Sequence, residues 1–323
     1  MINDKAMRTF FLTVLSFIIF HLTSNSVAAQ VFVELNCENL FDTRHDEGKQ
    51  DEDFTPEGSR RWTPTRYWRK LNATGQEILS CSEELPALVA IIEIENDTVA
   101  RDLTRRSLLR NAGYEYLMTE SHDVRGLDVA LLYLPARFRP LCYDVLDVPT
   151  LPNMRPTRQI LYVQGETQRR DTLHLFIVHA PSRYNGELET RPHRRQVTNI
   201  LTAALDTLIT KNVIVAGDFN DYADSPSLAA LEATGLVNIS AKATGASGRA
   251  KGTYRYHGEW QSLDHILLSP TLSERMDTVY INDATFLLEP ENTYGGWKPR
   301  RTYNGYRYQR GFSDHLPLVL RLH

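Results

Sequence analysis

Cysteine is scarce in this chain, with Cys37, Cys81 and Cys142 the only three among 323 residues. So small a set, without paired metal-type spacing, excludes a thiolate metal cluster and a disulfide-built scaffold. It leaves room for one disulfide in an exported protein, whose partners the spacing does not choose. Excess positive charge is missing as well: 36 basic against 40 acidic residues give a formal charge of −4. That balance argues against a protein that grips nucleic acid with its whole surface, although it permits local basic patches around an acidic site. Membrane-length apolar runs are also lacking. The longest, Phe10 to Leu22, is interrupted by His21 and falls short of the roughly 20 residues a bilayer requires. No repeat and no linker interrupts the chain beyond that run.

What is present begins with Lys5 and Arg8 ahead of that short run, then a polar stretch and Val27-Ala-Ala29. This order describes a secretory signal peptide over residues 1–29, cut after Ala29, and predicts export to the periplasm or the medium. Processing removes Asp4, Lys5 and Arg8 and leaves 34 basic and 39 acidic side chains. A single domain is expected over residues 30–323, with no membrane span after processing. Strands are predicted at 31–36, 88–94, 127–134, 160–165, 173–180, 213–216, 263–268 and 316–320. A hairpin is predicted about His257-Gly258. Helices are predicted from Thr63-Pro64, over 191–209 and over 227–233. Many strands with interspersed helices make one layered α/β domain.

Polar residues recur where the apolar strands end: Asn36, Glu93, His179, Asp218 with Asn220, Asp264, and Asp314 with His315. A carboxylate at the mouth of a buried strand is costly unless a cation or hydrogen bonds compensate. One such residue is ordinarily a turn or a cap. Five strand ends carrying them, without cysteine, suit a hard cation such as magnesium, manganese or calcium. Asp218 and Asn220 share one face if the chain there is extended, and the competing reading is an Asx turn closing the strand. Asp314 and His315 are adjacent and point to opposite sides, so His315 needs another partner, for which Asp264 is the candidate. His174, His193, His257 and His265 read as histidines satisfied by the backbone. The basic, aromatic stretches 60–70 and 297–310 read as a solvated helix face and a folded loop, in preference to a nucleic-acid groove.

Seven stretches carry a resemblance that covers residues 31–322. They are Glu34-Leu-Asn-Cys-Glu-Asn-Leu-Phe-Asp42, Ile91-Ile-Glu-Ile-Glu-Asn96, Arg125-Gly-Leu-Asp-Val-Ala-Leu131, His179-Ala-Pro-Ser-Arg183, Gly217-Asp-Phe-Asn220, Leu263-Asp-His-Ile266 and Ser313-Asp-His-Leu-Pro317. In this order the chain resembles the DNase I-like endonuclease/exonuclease/phosphatase superfamily. The first motif and the Asp53–Gly58 loop are similar to its secreted bacterial members. The resemblance implies an α/β (α+β) four-layered sandwich, two mainly antiparallel β-sheets packed together and flanked by helices. It implies a divalent metal, magnesium foremost, on Glu93 with Asn36 and Asp314 nearby. Asp218 and Asn220 would orient water and phosphate. His315 held by Asp264, and His179 held by Asp128, would handle protons. Val178 departs from the asparagine that often precedes the first histidine of related enzymes.

The resulting expectation is a phosphodiester hydrolase, foremost an exported nuclease acting as a monomer on nucleic acid. The alternatives are a phosphatase or phospholipase-type diesterase on small or lipid phosphates, and a catalytically silent binding module. Substrate is not inherited from fold.

Overall fold

The computed structural model describes residues 30–184 and 186–323. The expected signal peptide, residues 1–29, lies outside the described residues. In chain order the strands are β1 (Gln30–Leu40), β2 (Leu88–Ile94), β3 (Glu115–Met118), β4 (Asp128–Tyr133), β5 (Phe138–Leu146) and β6 (Ile160–Thr167). They continue with β7 (Thr172–His179), β8 (Asn212–Asp218), β9 (Val237–Asn238), β10 (Tyr254–Tyr256), β11 (Glu259–Gln261) and β12 (Asp264–Leu268). The last are β13 (Met276–Ile281), β14 (Leu288–Pro290), β15 (Trp297–Pro299), β16 (Tyr303–Asn304), β17 (Arg307–Tyr308) and β18 (Leu318–Leu322). The helices are α1 (Pro64–Leu79), α2 (Asp97–Arg105), α3 (Glu187–Leu205), α4 (Pro226–Glu232) and α5 (Pro270–Ser273).

Two six-stranded sheets carry the fold, ordered β13-β18-β1-β2-β4-β3 and β5-β6-β7-β8-β12-β9. Strand alternation explains how they pack. Phe32, Ala90, Ile92, Val129 and Leu131 of the first sheet meet Leu175, Ile177, Ile214, Ala216 and Ile266 of the second in one apolar interior. The intervening residues face outward. Val33, Leu35, Val89 and Ile91 are covered by Tyr67, Leu71 and Ile78 of α1 and by Val99 and Leu103 of α2. Phe176, Val178, Val213 and Val215 are covered by Val197, Leu201 and Leu205 of α3 and by Leu228 and Leu231 of α4. The result is the expected helix–sheet–sheet–helix sandwich. Each fully buried Leu, Ile or Phe contributes on the order of 1.5–3 kcal/mol.

One parallel pair in each sheet decides where the polar residues gather. β1 and β2 run parallel, and β18 and β4 run antiparallel to them. β7 and β8 run parallel, and β12 runs antiparallel to β8. The C-terminal ends of β1, β2, β7 and β8 therefore meet the N-terminal ends of β12 and β18 at a single rim.

Local signals account for the remaining elements. His257 (φ 48°) and Gly258 (φ 86°) form a two-residue turn with both φ positive, as the β10–β11 hairpin requires. The helix expected over 191–209 runs instead over Glu187–Leu205. Glu187 and Glu189 in its first turn suit the positive end of the helix dipole, and Pro192 is accommodated inside it. All three cysteines are free, Cys37 and Cys81 buried and Cys142 exposed. No helix among the described residues is long and apolar enough to cross a membrane.

Candidate active site

The second sheet presents its polar residues in register. His179 is the Cα partner of Asp218, and Asp218 is the partner of Asp264. All three continue the inward-facing alternation of their strands, so their side chains point between the sheets. Gly217 makes this alignment possible: a Cβ there would lie 1.9 Å from the carbonyl oxygen of Val178, and its φ is +146°. The strand ends at Asp218. Asn220 adopts φ 49°, and its N–H donates to Asp218 Oδ1 at 2.7 Å. The Asx turn is thus the correct reading, and the extended pairing of Asp218 with Asn220 is not found. Both residues still line the cleft. The Asn220 amide donates to Ala180 O at 3.1 Å.

The first sheet reaches the rim through irregular backbone. Asn36 continues β1's inward row and donates from Nδ2 to Asp218 Oδ2 at 3.1 Å, joining the two sheets. Glu93 sits at a break in the β2 pairing with φ 66°. Its Oε2 accepts from Asn39 N at 2.8 Å, and its Oε1 lies 3.7 Å from His179 Nε2. Just before β18, Ser313 Oγ donates to Asn36 O at 2.6 Å and accepts from His315 N at 3.1 Å. His315 Nδ1 then lies 2.7 Å from Asp264 Oδ2. An ionised carboxylate only accepts, so Asp264 places the proton on Nδ1. Thr253 Oγ1 donates to the same Asp264 oxygen.

The environments of the two histidines push their protonation apart. Burial holds His179 well below its ordinary value, with Arg158, Arg125 and His315 acting in the same sense. Burial opposes charge on His315 too, but Asp264, Asp218 and Asp314 outweigh it and hold that imidazole well above the ordinary range. Burial, then Asp264, pushes the Asp218 carboxyl up to about 7. Such divergence is what acid–base roles demand.

Asp128 does not hold His179. Val129 and Leu131 face the other sheet, so the side chain of Asp128 falls on the opposite face of β4. There it accepts from Thr119 Oγ1 at 2.5 Å and Ser121 N at 3.0 Å. His179 Nδ1 is buried without a partner among the described residues. Asp314 lines the cleft, with one oxygen taken by Arg301 at 2.8 Å.

The donor chemistry suits a divalent ion. The closest set of ligand atoms at this rim is Asp218, Asp264 and His315, within 4.8 Å of one another. Asp264 and His315 already spend Oδ2 and Nδ1 on one another. Glu93 lines the cleft and keeps Oε1 facing it, which makes it the better anchor.

Three participants were not singled out from sequence. Arg158 is buried, bonded to Asp123 at 3.1 Å and Ala180 O at 2.8 Å, and lines the cleft. Glu38 accepts from Thr302 N at 2.6 Å and Arg301 Nε at 3.3 Å, tying β1 to the segment that carries Asp314. Glu34 is fully buried with neither oxygen hydrogen-bonded to a described residue. Burial, then Asp264 and Asp218, raises its carboxyl well above the usual range. A lone acid in Val31-Phe-Val-Glu-Leu was the available signal. His265 is structural, bonded to Asn238 and Asp221 O, whereas His257 is exposed and stacks between Tyr256 and Tyr294. The two basic, aromatic stretches pack on one another: Arg60 lies over Tyr303 and Tyr306, and Arg66 over Tyr308.

The whole architecture has counterparts among solved structures. An endonuclease/exonuclease/phosphatase family protein from Bacteroides thetaiotaomicron superposes with a TM-score of 0.62 at 14% identity, over 91% of this chain and 97% of that one. A mannosyl-6-phosphatase of the same species gives 0.58 at 15% identity, over 91% and 99%. D. rerio TDP2 complexed with single strand DNA product gives 0.53 at 16% identity, over 92% and 99%. No curated protein matches the sequence. Residues 31–323 match the model of the endonuclease/exonuclease/phosphatase family, so this chain belongs to that family of phosphoester hydrolases.

Proposed function

We propose that this hydrolase is an exported, divalent-metal-dependent nuclease that cleaves phosphodiesters. The observation that carries the reading is the size and lining of the cleft. Its volume of about 910 Å³ far exceeds one phosphate, and Arg125, Arg155, Arg158 and Arg183 share it with Tyr184, Tyr254 and Tyr256. Arginines at a cleft serve successive phosphates, and exposed aromatic rings accept bases by stacking. A small monoester has one phosphate and would not use four arginines spread along the cleft. The TDP2 structure with a single-strand DNA product is consistent with this reading, while the mannosyl-6-phosphatase shows that the fold also serves a sugar phosphate.

Glu93, with Asn36 and Asp314 beside it, would hold the metal, which when bound supplies Lewis-acid relief of charge on a phosphate oxygen. Asp218, braced by Asn36 and Asn220, orients the attacking water. His315, fixed by Asp264, exchanges a proton at Nε2. His179 directs its own Nε2 toward Glu93 and Asp218, 3.7 and 3.8 Å away, where a phosphate oxygen can accept from it. Arg158 and Arg125 add fixed positive charge along the same wall.

A panel of plasmid DNA, RNA, bis-p-nitrophenyl phosphate and inositol phosphates, run with and without chelator, tests the proposal. Chelator-sensitive cleavage of a nucleic acid, abolished by Asp218→Ala, is the expected result. Turnover of monoesters alone overturns the nuclease assignment. Export is checked separately by the N-terminus of the mature protein, expected at Gln30.

A further inference from the structure

A second group of acids lies beyond the catalytic rim, where β1 runs into the loop after Asp42. Asp46, Asp51 and Glu95 each offer a carboxylate oxygen within 4.8 Å of the others. Asp51 is 1% exposed and Glu95 4% exposed. Asp42 adjoins them, its N–H donating to Glu95 Oε2 at 2.6 Å. Glu95 Oε1 is buried and has no hydrogen-bond partner among the described residues. An ionised carboxylate in that state is expensive, and no lysine or arginine among the described residues pairs with any of the three. The basic group in contact with them is the half-exposed His45, whose Nδ1 meets Asp51 Oδ1.

The spacing permits one ion to bridge the three. Two oxygens on one calcium, each about 2.4 Å from it, can be separated by at most about 4.8 Å. We propose that Asp46, Asp51 and Glu95, with Asp42 beside them, bind a second divalent cation, calcium by the chemistry of their all-oxygen donors. This site shares no ligand with the catalytic one.

Its position gives it a task. Glu95 N donates to Leu40 O at 3.2 Å, so the site staples the exits of β1 and β2. The same loop docks on the segment before Arg125: Lys49 Nζ donates to Ser121 O and Asp123 O, both at 3.0 Å, and Gln50 N to Val124 O at 2.7 Å. Calcium here braces a wall of the cleft without touching substrate.

The test uses metal-free protein carrying Glu93→Gln, so that the catalytic ligand is absent, titrated with calcium chloride in a calorimeter. One calcium per chain and a rise in Tm of several degrees are expected. Adding Glu95→Gln, or Asp46→Asn, which lies on the loop outside the strands and helices, weakens binding at least tenfold. Absence of calcium binding in the Glu93→Gln protein overturns the proposal, as does unchanged affinity in the Asp46→Asn variant. Zinc binding in preference to calcium, lost in His45→Ala, overturns the assignment of the ion.

Discussion

The two sheets bring chemistry to the same rim by opposite means. The second sheet uses regular strand ends: His179, Asp218 and Asp264 stand in register and face inward by simple alternation. The first uses broken ones, where Glu38 (φ 50°), Asn39 (φ 60°) and Glu93 (φ 66°) all adopt left-handed backbone. Such conformations cost about 1–3 kcal/mol each for a residue with a side chain. Regular pairing holds groups that must keep a fixed orientation to one another. Irregular backbone re-aims a donor that alternation alone would not deliver. The second sheet therefore holds His179, Asp218 and Asp264, the partner of His315, by regular pairing, while the backbone around Glu93, which would hold the metal, stores strain.

The largest effect should follow from breaking the regular side. Asp264→Asn removes the carboxylate charge and lets an amide N–H face His315 Nδ1, which selects the wrong imidazole tautomer, and it is expected to lower kcat by about 10³-fold with the circular dichroism spectrum unchanged. Asp128→Asn, on the wrong face of its strand, should leave kcat within about threefold and cost about 1–2 kcal/mol of stability through Thr119 and Ser121. Equal losses from the two variants would erase the contrast.

Packing gives the next effect. Gly217→Ala drives a methyl into the backbone of Val178 and should cost about 3 kcal/mol or more, read as a lower denaturation midpoint. On the irregular side the sign reverses. Glu93→Gly should raise stability by about 1 kcal/mol, because glycine relieves the left-handed backbone, while abolishing activity. Glu93→Gln, which keeps an acceptor for Asn39 N without relieving the backbone, is the control, and a Glu93→Gly protein no more stable than Glu93→Gln would mean that no strain is stored there.

The smallest effect is a slope. Glu34 and Asp218 have folded values raised above their ordinary 4.5 and 3.8, the latter to about 7. The folded chain keeps protons that the unfolded chain releases. Their contribution is complete below those ordinary values and is lost as pH rises, through about 7 for Asp218. Chelated protein should therefore lose stability from about pH 4 toward neutrality, and Glu34→Gln should flatten the slope by up to about 1.4 kcal/mol per pH unit. An unchanged slope in chemical denaturation would show that Glu34 is not carrying the proton.

Much of the site was legible because its signals are local. The apolar run 88–94 carries Glu93 next to its end and the run 213–216 leads into Gly217-Asp218, His257-Gly258 announces its turn, and the adjacent pair Asp314-His315 sends one imidazole in search of a partner. Asp264 was the right partner for His315. The failures are equally particular. Asp128, which the resemblance paired with His179, stands on the face of its strand opposite to the interior that Asp218 faces. Asn220 turned back on Asp218 through a left-handed residue that an extended reading could not contain. Glu34, Arg158 and the acids around Glu95 belonged to no spacing pattern.

By itself the sequence determined the central strands of both sheets but not the outer β3, β5 and β13, which residues would stand at the central strands' ends, and that the donors there would be oxygen and imidazole. These follow from backbone periodicity and from the cost of leaving a charge beside an apolar run, both properties of neighbours in the chain. Only the tertiary structure decided which face each donor shows and which donors meet. Asn36 and Asp218 are 182 residues apart and touch because one parallel pair in each sheet turns their strand ends to a common rim. Strand pairing is a contest among many distant segments for the same hydrogen bonds, and its outcome is settled by the packing of the whole core.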